Sequence, residues 1–81
     1  MQRKIKRTLS RFQKDTEAYS GDVDVTNVPF AVLRQIYPNP EDPMLSLSYP
    51  VSSKEATVLQ SYLAEALDLD TYDYFLDADS E

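Results

Sequence analysis

The stretch that decides the fold is Ser52-Ser53-Lys54-Glu55-Ala56-Thr57-Val58-Leu59-Gln60-Ser61-Tyr62-Leu63-Ala64-Glu65-Ala66-Leu67. A serine three residues before a glutamate has the spacing of a capping box, in which each side chain serves a backbone amide at the start of a helix. Behind it Ala56, Leu59, Leu63, Ala66 and Leu67 recur at spacings of three and four, so one apolar stripe faces a core. The expected helix therefore runs from the cap at Ser52 to Leu67. It is flanked on both sides by segments of period two. Met44-Leu45-Ser46-Leu47-Ser48-Tyr49 alternates with Leu45, Leu47 and Tyr49 on one face, and Tyr72-Asp73-Tyr74-Phe75-Leu76-Asp77 alternates again.

Upstream, Lys4 to Phe12 reads as a strand with Ile5 and Leu9 on one face and Thr8, Ser10 and Phe12 on the other. A polar turn at 14–17 leads to a second strand. Tyr19, Val23 and Val25 are expected on one of its faces and Asp22 and Asp24 on the other, with Gly21, the only glycine, marking a bulge. Thr26 or Asn27 caps a first helix that carries Phe30, Leu33, Ile36 and Tyr37 at helical spacing, with Pro29 in its first turn. Pro38 stops it, and three prolines within 38–43 make a stiff exposed connection. The order β-β-α-β-α-β is an α+β pattern: a small, mainly antiparallel sheet with two helices packed on one face, in a single domain over residues 1–81.

With 81 residues, 42% of them apolar, the chain buries only about 60–65% of its unfolded surface, which leaves no room for a deep enclosed cavity. It has no cysteine and no histidine, so thiol nucleophiles, imidazole bases, disulfides and Cys/His zinc sites are excluded. Its serines have no base to activate them. The expectation is a protein without enzymatic activity and without a cofactor. No run of about 20 apolar residues exists to span a bilayer, and no signal-peptide core follows the basic N-terminus, which points to a cytoplasmic protein with no membrane partner.

The formal charge of −6 conceals an asymmetry. Six of the eight basic residues, Arg3, Lys4, Lys6, Arg7, Arg11 and Lys14, precede position 15, and residues 15–81 carry all 14 acids against Arg34 and Lys54. Such a field repels nucleic acid and attracts basic proteins. The basic residues near the N-terminus are read as guarding an edge strand against aggregation and as pairing with the acidic C-terminal segment. Asp68, Asp70 and Asp73, with Asp77, Asp79 and Glu81 beyond, form the densest carboxylate cluster. It fails the calcium-loop pattern, because Asp73 stands where a tight-turning glycine is needed and Asp79 where a bidentate glutamate is usual, so no metal site is expected. Tyrosines interleave with these aspartates, and tyrosine contributes large buried area at interfaces for little entropy. The expected partner-binding residues are Asp68, Asp70, Tyr72, Asp73, Tyr74 and Asp77.

The segment from Phe12 to Glu17, the Pro-Glu-Asp-Pro-Met-Leu run at 40–45, Ser48-Tyr49-Pro50-Val51, and the segment from Leu67 to Leu76 together resemble a family of short bacterial proteins of unassigned function, over about residues 8–77. In size and charge the chain is similar to immunity proteins of contact-dependent and polymorphic toxin systems. That likeness implies an antitoxin-like inhibitor whose partner is a basic toxin domain, such as a nuclease. A regulatory or structural interaction module and a DNA mimic are the alternative readings.

Overall fold

The computed structural model describes residues 5–80. Six elements follow one another: β1 (Ile5–Gln13), β2 (Tyr19–Asp24), α1 (Phe30–Ile36), β3 (Tyr49–Pro50), α2 (Ser53–Gln60) and β4 (Tyr72–Ser80). The strands form one antiparallel sheet in the order β2-β1-β4-β3. The expected α+β class and element order are thus observed. β1, however, is an inner strand, paired along its length with β4 and on its other side with β2, so its charges do not guard an edge.

Cross-strand partners share a face, so the register sorts the side chains. Leu9 lies opposite Val23 and Leu76, and Tyr49 also lies opposite Leu76. This inner face meets Leu33 of α1 and Ala56 and Leu59 of α2 in a single apolar cluster that includes Val25, Val28, Leu45, Val51 and Tyr74. The helices therefore cover one side of the sheet. The other side presents Thr8, Ser10 and Phe12 of β1, Asp73, Phe75 and Asp77 of β4, and Asp22 and Asp24 of β2.

Gly21 does mark a bulge. Between the pairs Ser10–Asp22 and Phe12–Tyr19, Ser20 and Gly21 together oppose Arg11 alone, and Gly21 has φ of 107°. An extra residue reverses the side-chain alternation. Tyr19 consequently leaves the Val23 face, where simple alternation would put it, and joins Asp22 and Asp24. Arg11 fixes the bulge by donating from Nε and Nη2 to the Ser20 carbonyl, at 3.2 and 2.8 Å. Because an L side chain is strained at this φ, Gly21→Ala is expected to cost about 1–3 kcal/mol in urea titration. An unchanged midpoint would show that the bulge does not depend on glycine.

Three further expectations are corrected. α2 ends at Gln60 rather than Leu67. Its last turn tightens through bonds from Ser61 N to Val58 O and from Tyr62 N to Leu59 O, and the Gln60 amide then donates to Glu65 O and accepts from Leu67 N, both at 2.8 Å. One side chain thus takes over bonds that a continuing helix would supply. The departure lets Leu63 and Leu67 pack on the core and Glu65 reach Arg11 at 3.2 Å, tertiary gains that override the helix propensity of Ala64-Glu65-Ala66. The cap itself forms as expected from the glutamate side, with Glu55 Oε1 accepting from Ser52 N and Oγ at 3.2 and 2.6 Å.

The strand expected over Met44–Tyr49 is reduced to Tyr49–Pro50. Asp42, buried within the proline-rich connection, accepts from the amides of Ser46 and Leu47, both at 3.0 Å, and from the hydroxyls of Ser46 and Tyr49 at 2.9 and 2.6 Å. Amides committed to a carboxylate are not free for a strand ladder. Leu45 turns inward at φ 50° and is fully buried, whereas Leu47 is exposed. The first helix also differs at its start, where Pro29 occupies the N-cap and no side chain caps it.

Candidate functional site

Strand alternation divides the six residues singled out in the C-terminal segment. Tyr72 and Tyr74 point to the helix side: Tyr74 is buried, with its carbonyl accepting from Val51 N and its hydroxyl from Asp68 N, and Tyr72 lies beneath the Arg11 guanidinium at 5.0 Å. Asp73 and Asp77 emerge on the opposite, open side. Asp68 and Asp70 precede the strand and line an open groove against Ser53, Thr57 and Gln60 of α2. The structure therefore brings Asp73 and Asp77 together on one surface and leaves the other four elsewhere. Arg3, Lys4 and Glu81 lie outside the described residues.

Asp68 has a local structural task. The Thr71 hydroxyl, followed by the amides of Thr71 and Asp70, holds its carboxyl below the usual range, and Asp68 Oδ1 accepts from those amides at 3.3 and 3.2 Å. This turn aims the chain into β4, where Tyr72 N donates to Asp68 O at 3.0 Å. Among the described residues, no group of three carboxylates is placed to hold a metal ion.

The open side of the sheet contains residues that the sequence reading did not select. Phe12 stands at its centre, edge-on to Tyr19 with ring centroids 5.7 Å apart and to Phe75 at 5.8 Å. Tyr19 is 58% exposed, while Phe12 and Phe75 are half-buried by their own strand neighbours. Around these three rings lie Asp22 and Asp24 from β2 and Asp73 and Asp77 from β4. Asp77 accepts from Ser10 Oγ. Asp73 pairs with Lys14 at 2.9 Å, an exposed contact that leaves the carboxylate about half accessible. Asp24 accepts from the hydroxyl and amide of Thr26, and the hydroxyl first, then the amide, hold its carboxyl below the usual range. The signal for this surface was present in the period-two pattern of β1 and β4, but Tyr19 could be assigned to it only through the bulge.

The basic residues of β1 are split by the same alternation. Arg7 and Arg11 lie on the helix side, where Arg7 stacks over Phe30 at 4.6 Å and donates to Met44 O, and Arg11 serves Ser20, Glu65 and Tyr72. Lys6 shares the open side. The expected pairing of the N-terminal bases with later acids is therefore realised by Arg11 with Glu65 and by Lys14 with Asp73. The open face sets the Ser10 hydroxyl against the Asp77 carboxylate. Its equipment is aromatic area bordered by hydrogen-bond acceptors, which suits recognition of a cationic surface.

Among the described residues, no helix is long and apolar enough to cross a membrane. A comparison with curated proteins finds no match. The chain matches, over residues 6–77, the family described as "Domain of unknown function (DUF7683)". That span takes in all of α1, β2, β3 and α2 and most of the two long strands, so the protein belongs to the DUF7683 family.

Proposed function

We propose that this protein is an immunity protein: a stoichiometric, non-catalytic inhibitor that binds a basic bacterial toxin domain in the cytoplasm and neutralises it. The observation that carries the reading is the arrangement of carboxylates beside accessible aromatic rings on an uncovered sheet face, in a chain of net charge −6 without histidine or cysteine. A toxin that acts on nucleic acid needs a cationic cleft for phosphate. Carboxylates placed over such a cleft take the positions of phosphate oxygens, and long-range attraction accelerates the encounter. An inhibitor of this kind needs shape, charge and a stable fold, and no reacting group of its own.

The test is co-expression of the chain with the protein encoded immediately upstream of its gene in the native genome. Induction of the upstream protein alone is expected to arrest growth, and simultaneous production of the chain to restore it. Arrest that persists at equal or excess chain overturns the reading, as does an upstream protein without toxicity.

A further inference from the structure

Resting on that reading, we propose that the open face of the sheet is the docking surface, with Phe12, Tyr19 and Phe75 as its apolar centre and Asp22, Asp73 and Asp77 as its acceptor rim, and that its occupant is an arginine-bearing segment of a protein partner.

Three features converge on this face. It is the sheet surface that neither helix covers, since the buried residues of α1 and α2 all join the Leu9–Leu76 side. Its rings are built into one patch by two edge-on contacts, and the more exposed of the outer rings is placed there by a purposeful irregularity, the Ser20–Gly21 bulge, without which Tyr19 would turn to the opposite side. Finally, the charge on this face has one prevailing sign. Asp22, Asp24, Asp73 and Asp77 outnumber Lys6 and Lys14, because strand alternation sends Arg7 and Arg11 to the covered side.

Charge then selects the occupant. A second copy of the chain would set aspartates against aspartates, and a nucleic acid or anionic lipid would meet the same repulsion. An arginine satisfies both halves of the surface. Its planar guanidinium stacks on an aromatic face, and its fork of N–H donors matches a carboxylate in two-point contact. The same pairing already occurs inside the molecule, where Arg11 lies over Tyr72 while bonded to Glu65. Tyr19, with Asp22 three residues away and Phe12 against its ring, offers that combination to an incoming arginine. A centre of aromatic residues with a polar rim is also the pattern in which a few side chains dominate binding.

The experiment titrates the full ¹⁵N-labelled chain with a synthetic peptide of alternating arginine and leucine at low salt. A glutamate–leucine peptide and a short DNA duplex serve as parallel probes. Saturable amide shifts are expected for Phe12, Tyr19, Asp22, Phe75 and Asp77 with the arginine peptide alone. Tyr19→Ala, at an exposed position where the fold tolerates truncation, is expected to weaken the arginine peptide by about tenfold, as is Asp22→Asn, whereas Asp70→Asn leaves it unchanged. Native amide dispersion in each variant separates loss of binding from loss of fold. Shifts centred on 68–71 or on 38–43, insensitivity to Tyr19→Ala, an equal response to the DNA duplex, or no shift at millimolar peptide would each overturn the assignment. The growth assay fails independently: rescue by the wild-type chain and by Tyr19→Ala/Asp22→Asn alike keeps the immunity reading and removes this surface, while mapping to the face without rescue does the reverse.

Discussion

Leu76→Ala is expected to lower the free energy of unfolding by about 2–5 kcal/mol, the range for truncating a fully buried leucine whose surroundings cannot collapse into the space. Leu76 has no exposed surface and is held from two sides in register, by Leu9 on β1 and Tyr49 on β3, so the sheet backbone resists closing the void. A domain of this length has a total stability of roughly 4–12 kcal/mol, and the single change removes a large part of it. Urea titration should show a lower midpoint with an unchanged slope. Leu63→Ala, at a half-buried position beyond the end of α2, should cost less. A loss below about 0.5 kcal/mol at Leu76 would contradict the placement of the core.

The second large effect is expected at Asp42. Hydrogen bonds from the Tyr49 hydroxyl first, and from the Ser46 and Leu47 amides and the Ser46 hydroxyl, hold its carboxyl well below the ordinary carboxylate range. A carboxylate whose pKa is depressed by folding stabilises the fold fully above its unfolded value near 4, and that contribution is lost as the pH falls toward the lower folded value. Asp42→Asn cannot accept the same set of bonds with two equivalent oxygens. The variant is expected to melt at least about 4–8 °C lower at pH 7, the shift that attends a modest stability loss in a domain of this size. It should also lose less stability than the wild type between pH 5 and pH 2, so the two curves converge in acid. Parallel curves would show that Asp42 is not the acid-sensitive latch of the loop.

What was legible in the sequence follows from which signals are local. The capping residues Ser52 and Glu55, the alternation of β1 and β4 and the stop at Pro38 are short-range features, and each appears where the pattern placed it. Two of the misread boundaries have a different cause, because a polar side chain a few residues away in the chain captured the backbone bonds. Asp42 took the amides of Ser46 and Leu47 away from a strand, and Gln60 took over the end of α2. Neither capture has a spacing that announces it. The candidate surface was half legible. Asp73 and Asp77 were selected from their density, but Tyr72 and Tyr74 alternate with them and turn inward, while Phe12, Tyr19 and Asp22 come from strands more than 50 residues away in the chain. Only the pairing of β1 with both β2 and β4, and the single extra residue at the bulge, assembles them.

The most direct measurement is the association of the purified chain with the protein encoded upstream of its gene, followed by stopped-flow fluorescence across a range of ionic strength. Binding of one chain per partner is predicted, with an association rate that falls steeply as salt shortens the screening length to about 8–10 Å and below, and with faster dissociation for Tyr19→Ala/Asp22→Asn. Absence of binding, or an affinity and rate indifferent both to salt and to these two substitutions, would contradict the account.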